Sequence, residues 1–143
     1  MDALSVYLDT SVVAPLFLPD ATVDRARAFL KTGIADPIIS DWGAAEFASV
    51  VAKRVRMRLL VEREARKALT NFDHWTAAQT LRVECLALDV RAADAFLRRL
   101  DLNLRTLDAV HIAIARRLGA ELATFDVRMA ESAGALGLTA VAV

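Results

Sequence analysis

The sequence contains few of the residues that build disulfide-bonded or zinc-binding proteins. Its 143 residues include one cysteine, Cys85, and two histidines, His74 and His111. A single cysteine cannot form a disulfide within the chain, and the apolar neighbours of Cys85 predict a small buried hydrophobic residue rather than a nucleophile. So few sulfur and imidazole groups leave little room for the usual zinc sites built from cysteine and histidine.

Long apolar runs and glycine-rich phosphate loops are also missing. No apolar run reaches the roughly 18 residues that a membrane helix needs, and no basic segment precedes an apolar one at the amino terminus. Neither a G-x-x-x-x-G-K-[ST] loop nor a G-x-G-x-x-G turn occurs. Without a linker, a low-complexity tract or an internal repeat, we expect one domain over residues 1–143, in a cytoplasmic protein with no membrane contact.

The charges balance, but they are unevenly placed. Eighteen basic and 18 acidic residues give a net charge of zero, which does not indicate a nucleic-acid-binding protein, and 56% hydrophobic residues argue against disorder. Residues 53–67 hold seven basic side chains and two acidic ones. Most basic residues of the chain are arginine, whose guanidinium can bind phosphate through two nitrogens. This segment is either a phosphate-binding surface or a solvated helix face.

Short strands and helices alternate along the chain. We predict strands over residues 4–8, 37–39, 81–84, 121–125 and 138–143, and helices over residues 11–18, 20–32, 41–57, 61–78, 91–100, 106–118 and 127–135. Ser40 is the expected N-cap of the third helix and Gly119 ends the sixth, whereas Pro15 should shorten or distort the first. This alternation predicts an α/β fold in which helices cover both faces of a short, mainly parallel sheet.

Four acidic residues fall where such a fold would bring them together. Asp9 and Asp126 follow apolar strands, and Glu46 and Asp108 lie near the starts of helices. Ligands bind at the carboxyl ends of parallel strands, and Mg²⁺ and Mn²⁺ prefer oxygen ligands. Each helical acid alone could simply stabilise a helix start. Together, four clustered carboxylates repel one another unless a cation joins them, so they predict metal-dependent phosphodiester hydrolysis.

Other phosphate chemistries on similar folds fit less well. Receiver domains carry an acidic pair at the first strand and a late lysine, which this chain lacks. Haloacid-dehalogenase-like phosphatases need D-x-D after that strand, where this chain has Asp9, Thr10 and Ser11. The missing acidic pair and late lysine argue against a receiver domain, and the missing D-x-D argues against such a phosphatase.

An ordered set of short segments resembles the PIN-domain family. The segments are residues 7–12 (Tyr-Leu-Asp-Thr-Ser-Val), 40–46, 107–113 (Leu-Asp-Ala-Val-His-Ile-Ala), 123–126 and 136–138. None is specific alone, but their order and spacing across the whole chain resemble the VapC-type ribonuclease toxins of bacterial toxin–antitoxin pairs.

The resemblance implies a PIN-like three-layer α/β/α fold and an endoribonuclease that depends on one or two Mg²⁺ or Mn²⁺ ions and leaves a 5′-phosphate. By position, the catalytic acids fall on Asp9, Glu46, Asp108 and Asp126, and the supporting hydroxyls on Thr10, Ser11 and Thr124. The three aspartates are expected to ligate metal directly. Glu46 is expected to act through water or at a second ion.

The resemblance also implies partners. A cognate VapB-type antitoxin would block the site, often with a basic side chain. The toxin would form a homodimer and a larger complex with antitoxin, and it would meet DNA only through the antitoxin. The alternative function is a catalytically weak PIN-fold module that acts through its antitoxin and a DNA-bound complex.

Substrate RNA is expected along the helix that carries Glu46. Lys53 lies seven residues after Glu46, a step of four and then a step of three. It therefore shares a helix face with Glu46, because residues three or four apart are neighbours. Together with Arg54 and Arg58, it is our prediction for contact with the RNA backbone. The same basic segment is alternatively a contact for the antitoxin.

Several remaining side chains have two interpretations. His111, one turn after Asp108, either contacts phosphate or packs inside its helix. Trp75 either stacks on a base or fills the core or a dimer interface. Three further acids are assigned to helix surfaces and caps: Asp89, Asp94 and Asp101.

Overall fold

A five-stranded parallel sheet forms the centre of the protein. The computed structural model describes residues 5–34, 36–141 and 143. The strands are β1 (Ser5–Leu8), β2 (Asp36–Ser40), β3 (Leu81–Val83), β4 (Glu121–Ala123) and β5 (Ala140–Val141). Their order across the sheet is β3-β2-β1-β4-β5, and every pairing is parallel. Strand β1 therefore sits in the middle of the sheet.

Seven helices in the described ranges surround this sheet. They are α1 (Thr10–Val13), α2 (Val23–Leu30), α3 (Asp41–Arg56), α4 (Glu62–Gln79), α5 (Ala87–Leu97), α6 (Thr106–Leu118) and α7 (Val127–Ala135), with a 3-10 turn at Ala14–Leu16. None of these helices combines the length and the apolar composition that a membrane crossing requires.

Two hydrophobic clusters lie on opposite faces of the sheet. Tyr7 packs in one with residues of α5, α6 and α7, and Val6 and Leu8 pack in the other with residues of α3 and α4. This division follows from the strand geometry, because successive side chains point to opposite faces. The fold is the predicted α/β/α arrangement of three layers.

Trp75 belongs to the core on the α3–α4 side. Its ring centroid is 5.6 Å from that of Phe17, which also contacts Phe47 and Phe72 edge-on. Phe47 and Phe72 stack at 4.3 Å. Of the two interpretations of Trp75, packing in the core is the one that the structure supports.

The helix starts differ most from the sequence prediction. α5 begins at Ala87 rather than near residue 91, because the Asp89 carboxylate accepts the Leu86 N–H at 2.8 Å and closes the first turn. Asp89 is therefore a helix cap, one of the two roles expected for it, and it is fully buried and paired with Arg117 rather than on the surface. Asp94 and Asp101 are exposed and paired with nearby arginines, as expected.

The segment between β1 and β2 also contains less helix than the sequence predicted. Pro15 lies in the 3-10 turn after the four-residue α1. α2 begins at Val23 because the Asp20 carboxylate binds the Thr22 amide and hydroxyl in the preceding turn. β4 and β5 are shorter than their predicted ranges, and residues 4 and 142, which belong to the first and last predicted strands, lie outside the described residues.

Candidate active site

The site forms where β1 and β4 end side by side. Asp9 directly follows β1, and its amide donates to the Ala123 carbonyl at 3.0 Å. Thr124 and Asp126 follow β4, while α3 and α6 begin at the same edge of the sheet. The four predicted acids are therefore delivered by two strand ends and two helices.

Two hydroxyls hold the Asp9 carboxylate. Ser11 Oγ donates to Asp9 Oδ2 at 2.7 Å, and Thr124 Oγ1 donates to the same oxygen at 2.8 Å. Both hydroxyls also accept backbone amides, those of Phe125 and Asp126, at 3.0 Å. Asp9 is 6% exposed, so this network compensates for the loss of water around its charge.

Glu46 is positioned by the start of its helix. Ser40 is the N-cap of α3, as predicted, and its Oγ accepts the Gly43 amide at 3.0 Å. Thr10 Oγ1 donates to Glu46 Oε1 at 3.3 Å, and His111 Nε2 contacts the same oxygen. The Glu46 carboxylate thus meets one hydroxyl and one imidazole.

Asp108 occupies the most electrostatically unfavourable position of the four acids. Its pKa is raised, first by burial and then by the negative charges of Asp9, Asp126 and Glu46. Arg105 opposes this shift, but its Nε lies 3.6 Å away on a side chain that is 81% exposed. The mutual repulsion places all four acids in one electrostatic site.

Asp126 has a second task. Its Oδ1 accepts the backbone amides of Arg128 at 2.9 Å and Met129 at 3.2 Å, so it is the N-cap of α7. One carboxylate oxygen is therefore committed to the helix start.

The closest grouping of ligand atoms differs from the sequence prediction. Within the described chain, Asp9, Glu46 and His111 form the group whose ligand atoms all lie within 4.8 Å of one another. The sequence argument gave Glu46 the more remote role and did not include His111. The carboxylate oxygens of the site, with little positive charge nearby, fit a divalent cation such as Mg²⁺ or Mn²⁺.

His111 does not face the solvent as a phosphate contact would. It is fully buried, and its Nδ1 lies 2.5 Å from the Tyr7 hydroxyl, which lies 2.6 Å from Ser40 Oγ. Burial raises the pKa of Tyr7 well above its usual range, so the phenol stays neutral. Sequence reasoning gave Tyr7 no role, although a tyrosine two residues before the first acid, on the same strand, was a visible signal.

An apolar depression of about 300 Å³ opens beside Glu46. It is lined mainly by helix α3 and by the start of α6: Trp42, Ala45, Ser49, Val50 and Leu107. The Trp42 indole donates to the Leu107 carbonyl at 3.2 Å, which links the two walls.

The three basic residues predicted to contact RNA are in different environments. Lys53 is exposed near the end of α3. Arg54 donates to the Pro19 carbonyl at 2.9 Å and lies 3.9 Å from Asp20, so its guanidinium is held against the protein. Arg58 is exposed in the following turn with φ of +58°.

The chain matches known proteins over nearly its whole length. A family model described as "PIN domain" matches residues 6–135. Ribonuclease VapC46 of Mycobacterium tuberculosis is 32% identical, over 96% of this chain and 97% of that protein.

Solved structures share the fold. The toxin VapC20 of Mycobacterium tuberculosis, described as cleaving the sarcin–ricin loop, superimposes with a TM-score of 0.74 at 20% identity, covering 96% of this chain and 99% of that one. VapBC2 from Rickettsia felis, bound to a DNA fragment from its promoter, gives a TM-score of 0.62 at 16% identity, covering 87% and 89%. From the family model and the 32% identical relative, the chain belongs to the PIN-domain family, among its VapC-type toxins.

Proposed function

We propose that this protein is a divalent-metal-dependent endoribonuclease, formed as one domain over residues 1–143 and neutralised by a cognate antitoxin. The observation that carries the proposal is the convergence of four carboxylates, at which burial first, and then the charges of Asp9, Asp126 and Glu46, raise the pKa of Asp108. A fold has no structural reason to hold such mutual repulsion, but a bound cation would relieve it. The name of the relative VapC46 supports the choice of RNA as substrate.

The metal would be one or two Mg²⁺ or Mn²⁺ ions held by Asp9, Glu46, Asp108 and Asp126. When bound, such an ion polarises the phosphoryl oxygens, activates water and neutralises charge on the leaving oxygen. The product would carry a 5′-phosphate, as the family resemblance implies.

The protein's own groups hold the carboxylates in place before the reaction. Ser11 and Thr124 both bind Asp9 Oδ2, which leaves Oδ1 directed towards His111 and Glu46. Thr10 fixes Glu46 from the other side. Because these hydroxyls are themselves tied to the backbone or to α1, little reorganisation is needed when charge develops on the phosphate.

RNA would approach along α3. Lys53 is exposed on the helix that carries Glu46, and Arg58 is exposed in the turn that follows, so both can meet phosphates. The protein contacts of Arg54 leave it a weaker choice than the sequence argument implied. We retain Lys53 and Arg58 as the RNA-binding proposal.

The antitoxin would cover the same edge of the sheet. A basic side chain of the antitoxin could pair with Asp108, whose charge is poorly compensated, while an apolar side chain enters the depression beside Glu46. The homodimer and the larger DNA-bound assembly stay proposals that rest on the family resemblance. VapBC2, which is similar in fold, was solved bound to a DNA fragment from its promoter, and this supports a DNA-bound complex.

The antitoxin proposal is testable once a small reading frame beside this one supplies the partner. Ser49→Arg places a bulky cation in the depression and should weaken antitoxin binding at least tenfold, a change of about 1.4 kcal/mol. Ala78→Arg, on the exposed surface of α4, is the matched control. Equal affinities of the two variants would place the antitoxin elsewhere.

Cleavage is tested on total cellular RNA with protein stripped by EDTA. Mg²⁺ or Mn²⁺ should restore cleavage better than Ca²⁺, whose looser coordination suits in-line attack poorly. Sequencing that captures only 5′-phosphate ends should locate the cuts. A protein that binds its antitoxin but cuts no RNA under any of these ions would instead support the catalytically weak module.

A further inference from the structure

A buried chain of hydrogen bonds leads from the N-cap of α3 to the carboxylate of Glu46. Ser40 Oγ lies 2.6 Å from the Tyr7 hydroxyl, which lies 2.5 Å from His111 Nδ1. His111 Nε2 then contacts Glu46 Oε1. Ser40, Tyr7 and His111 are all fully buried. The chain joins β2, β1, α6 and α3, and it ends on the helix whose N-cap is its first residue.

The direction of every hydrogen bond in this chain follows from its two ends. Ser40 Oγ already accepts the Gly43 amide, and the Glu46 carboxylate can only accept. His111 must therefore carry a proton on Nε2. If Nδ1 is unprotonated, Tyr7 donates to it and Ser40 donates to Tyr7, so every proton has an acceptor.

The reverse direction leaves a buried proton without an acceptor. If His111 donated from Nδ1 to Tyr7, then Tyr7 would donate to Ser40. The Ser40 hydroxyl would already accept from Tyr7 and Gly43, and no further acceptor lies within hydrogen-bonding distance among the described residues. An unpaired buried donor costs about 1–3 kcal/mol. The satisfied arrangement is thus the neutral imidazole with its proton on Nε2.

Packing alone does not explain a polar side chain at this position. The neighbours of His111 on α6 are buried apolar residues, among them Val110 and Ile112, and an apolar residue there would need no partners. The imidazole instead reaches two catalytic candidates, since its Nε2 also lies 3.6 Å from Asp9 Oδ1. Its contacts are therefore directed at the acid site.

We propose that Tyr7 and His111 are positioning residues: the chain from Ser40 locks the tautomer of His111 and aims the Glu46 carboxylate beside Asp9 before cation or RNA binds. The inference rests on the proposed function for its catalytic consequence, but the lock itself exists in the metal-free protein. It assigns a task to the hydroxyl of Tyr7, which contacts neither Glu46 nor Asp9 directly.

Nitrogen NMR tests the lock without metal or substrate. The chain has only two histidines, and exposed His74 is an internal reference. In EDTA-treated protein near pH 7.5, long-range proton–nitrogen spectra should show His111 as the pure Nε2–H tautomer and His74 as a mixture. Tyr7→Phe keeps the ring but removes the hydroxyl, and it should shift the Nδ1 resonance of His111 and mix its tautomers.

Mn²⁺ binding and cleavage kinetics test the consequence. Tyr7→Phe should weaken Mn²⁺ affinity by about tenfold, the lower end for loss of an outer partner of a metal ligand. It should lower kcat for a cleaved RNA oligonucleotide while KM stays unchanged. Thr76→Val, which removes a buried hydroxyl of α4 far from the site, is the control and should change neither.

Variants of His111 provide a second comparison. His111→Gln retains an N–H donor and should preserve more Mn²⁺ affinity than His111→Leu, which has none. An Nδ1–H tautomer of His111 in the wild type, or wild-type Mn²⁺ affinity in folded Tyr7→Phe, would overturn the inference. If instead the NMR and Mn²⁺ results hold but no RNA is cut, the proposed function fails and the positioning network stands.

Discussion

The acid site has an inner and an outer half that are built differently. Asp9 and Glu46, the inner half, contact hydroxyls and an imidazole contributed by several elements. In the outer half, Asp126 binds backbone amides of its own helix, and Asp108 meets a single exposed arginine. The inner carboxylates are therefore fixed in advance, whereas in the outer half Asp108 carries a charge that is poorly compensated. A cation or a basic side chain of a partner gains most by approaching the outer half.

The largest effect expected from breaking the outer half is loss of catalysis together with a gain in stability. Asp108→Asn is nearly isosteric and should abolish cleavage because one carboxylate of the site is gone. It should also raise the melting temperature of the metal-free protein at pH 7, since it removes both the burial of a charge and the repulsion by neighbouring acids that raise the pKa of Asp108. Calorimetry and a cleavage assay on the same preparation check both effects.

The stability gain should depend on pH with a defined sign. Where burial raises the folded pKa of a carboxyl, the protein loses stability as the pH rises from the group's ordinary pKa of 3.8 through its folded pKa. The advantage of Asp108→Asn should therefore be present at pH 7 and vanish below about pH 4. An advantage that persists at pH 3 would point to a packing effect instead.

Breaking the inner half should have the opposite effect on stability. Ser11→Ala removes a donor to Asp9 and the acceptor of the Phe125 amide. We expect a loss of about 1–3 kcal/mol in the free energy of unfolding and a slower cleavage rate, because a buried charge loses a partner. Urea titration of Ser11→Ala and Asp108→Asn measures the change in unfolding free energy for each half. Changes of the same sign in both variants would contradict the difference between the halves.

The smallest effect is expected outside both halves, at the exposed Lys53 near the end of α3. Lys53→Ala should weaken RNA binding and reduce the log–log salt slope by roughly 0.7, the value for one contact to single-stranded RNA. Arg91→Ala, an exposed arginine of α5, is the control. The measurement is oligonucleotide binding by catalytically inactive Asp108→Asn protein between low and moderate salt, and an unchanged slope would separate Lys53 from the RNA path.

Local patterns in the sequence were sufficient to predict the layers of the fold and to place two of the candidate acids directly after strands. The apolar stripe of α6 predicted its bounds, and Thr106–Leu118 is the observed helix. The alternation of strands and helices predicted the parallel sheet, and this sheet order brings the ends of β1 and β4 together. Asp9 and Asp126 therefore follow the ends of two neighbouring strands, as their sequence positions predicted.

Contacts between distant segments could not be read from these patterns. Tyr7 and His111 are 104 residues apart, and Arg54 reaches Pro19 across 35 residues. A helical period identifies which face is buried, but not which polar atom lies opposite. For that reason, the sequence argument placed Arg54 beside Lys53 and left His111 without a partner.

The most direct test of the account compares wild type with Asp9→Asn in single-turnover RNA cleavage. Both proteins are stripped with EDTA, checked for retained fold, and assayed before and after addition of Mn²⁺. The account predicts no cleavage in EDTA, restoration by Mn²⁺ in the wild type, and a rate at least about 100-fold lower in Asp9→Asn, the scale on which one lost electrostatic partner slows catalysis. Cleavage that persists in EDTA, or a wild-type rate in Asp9→Asn, would contradict it.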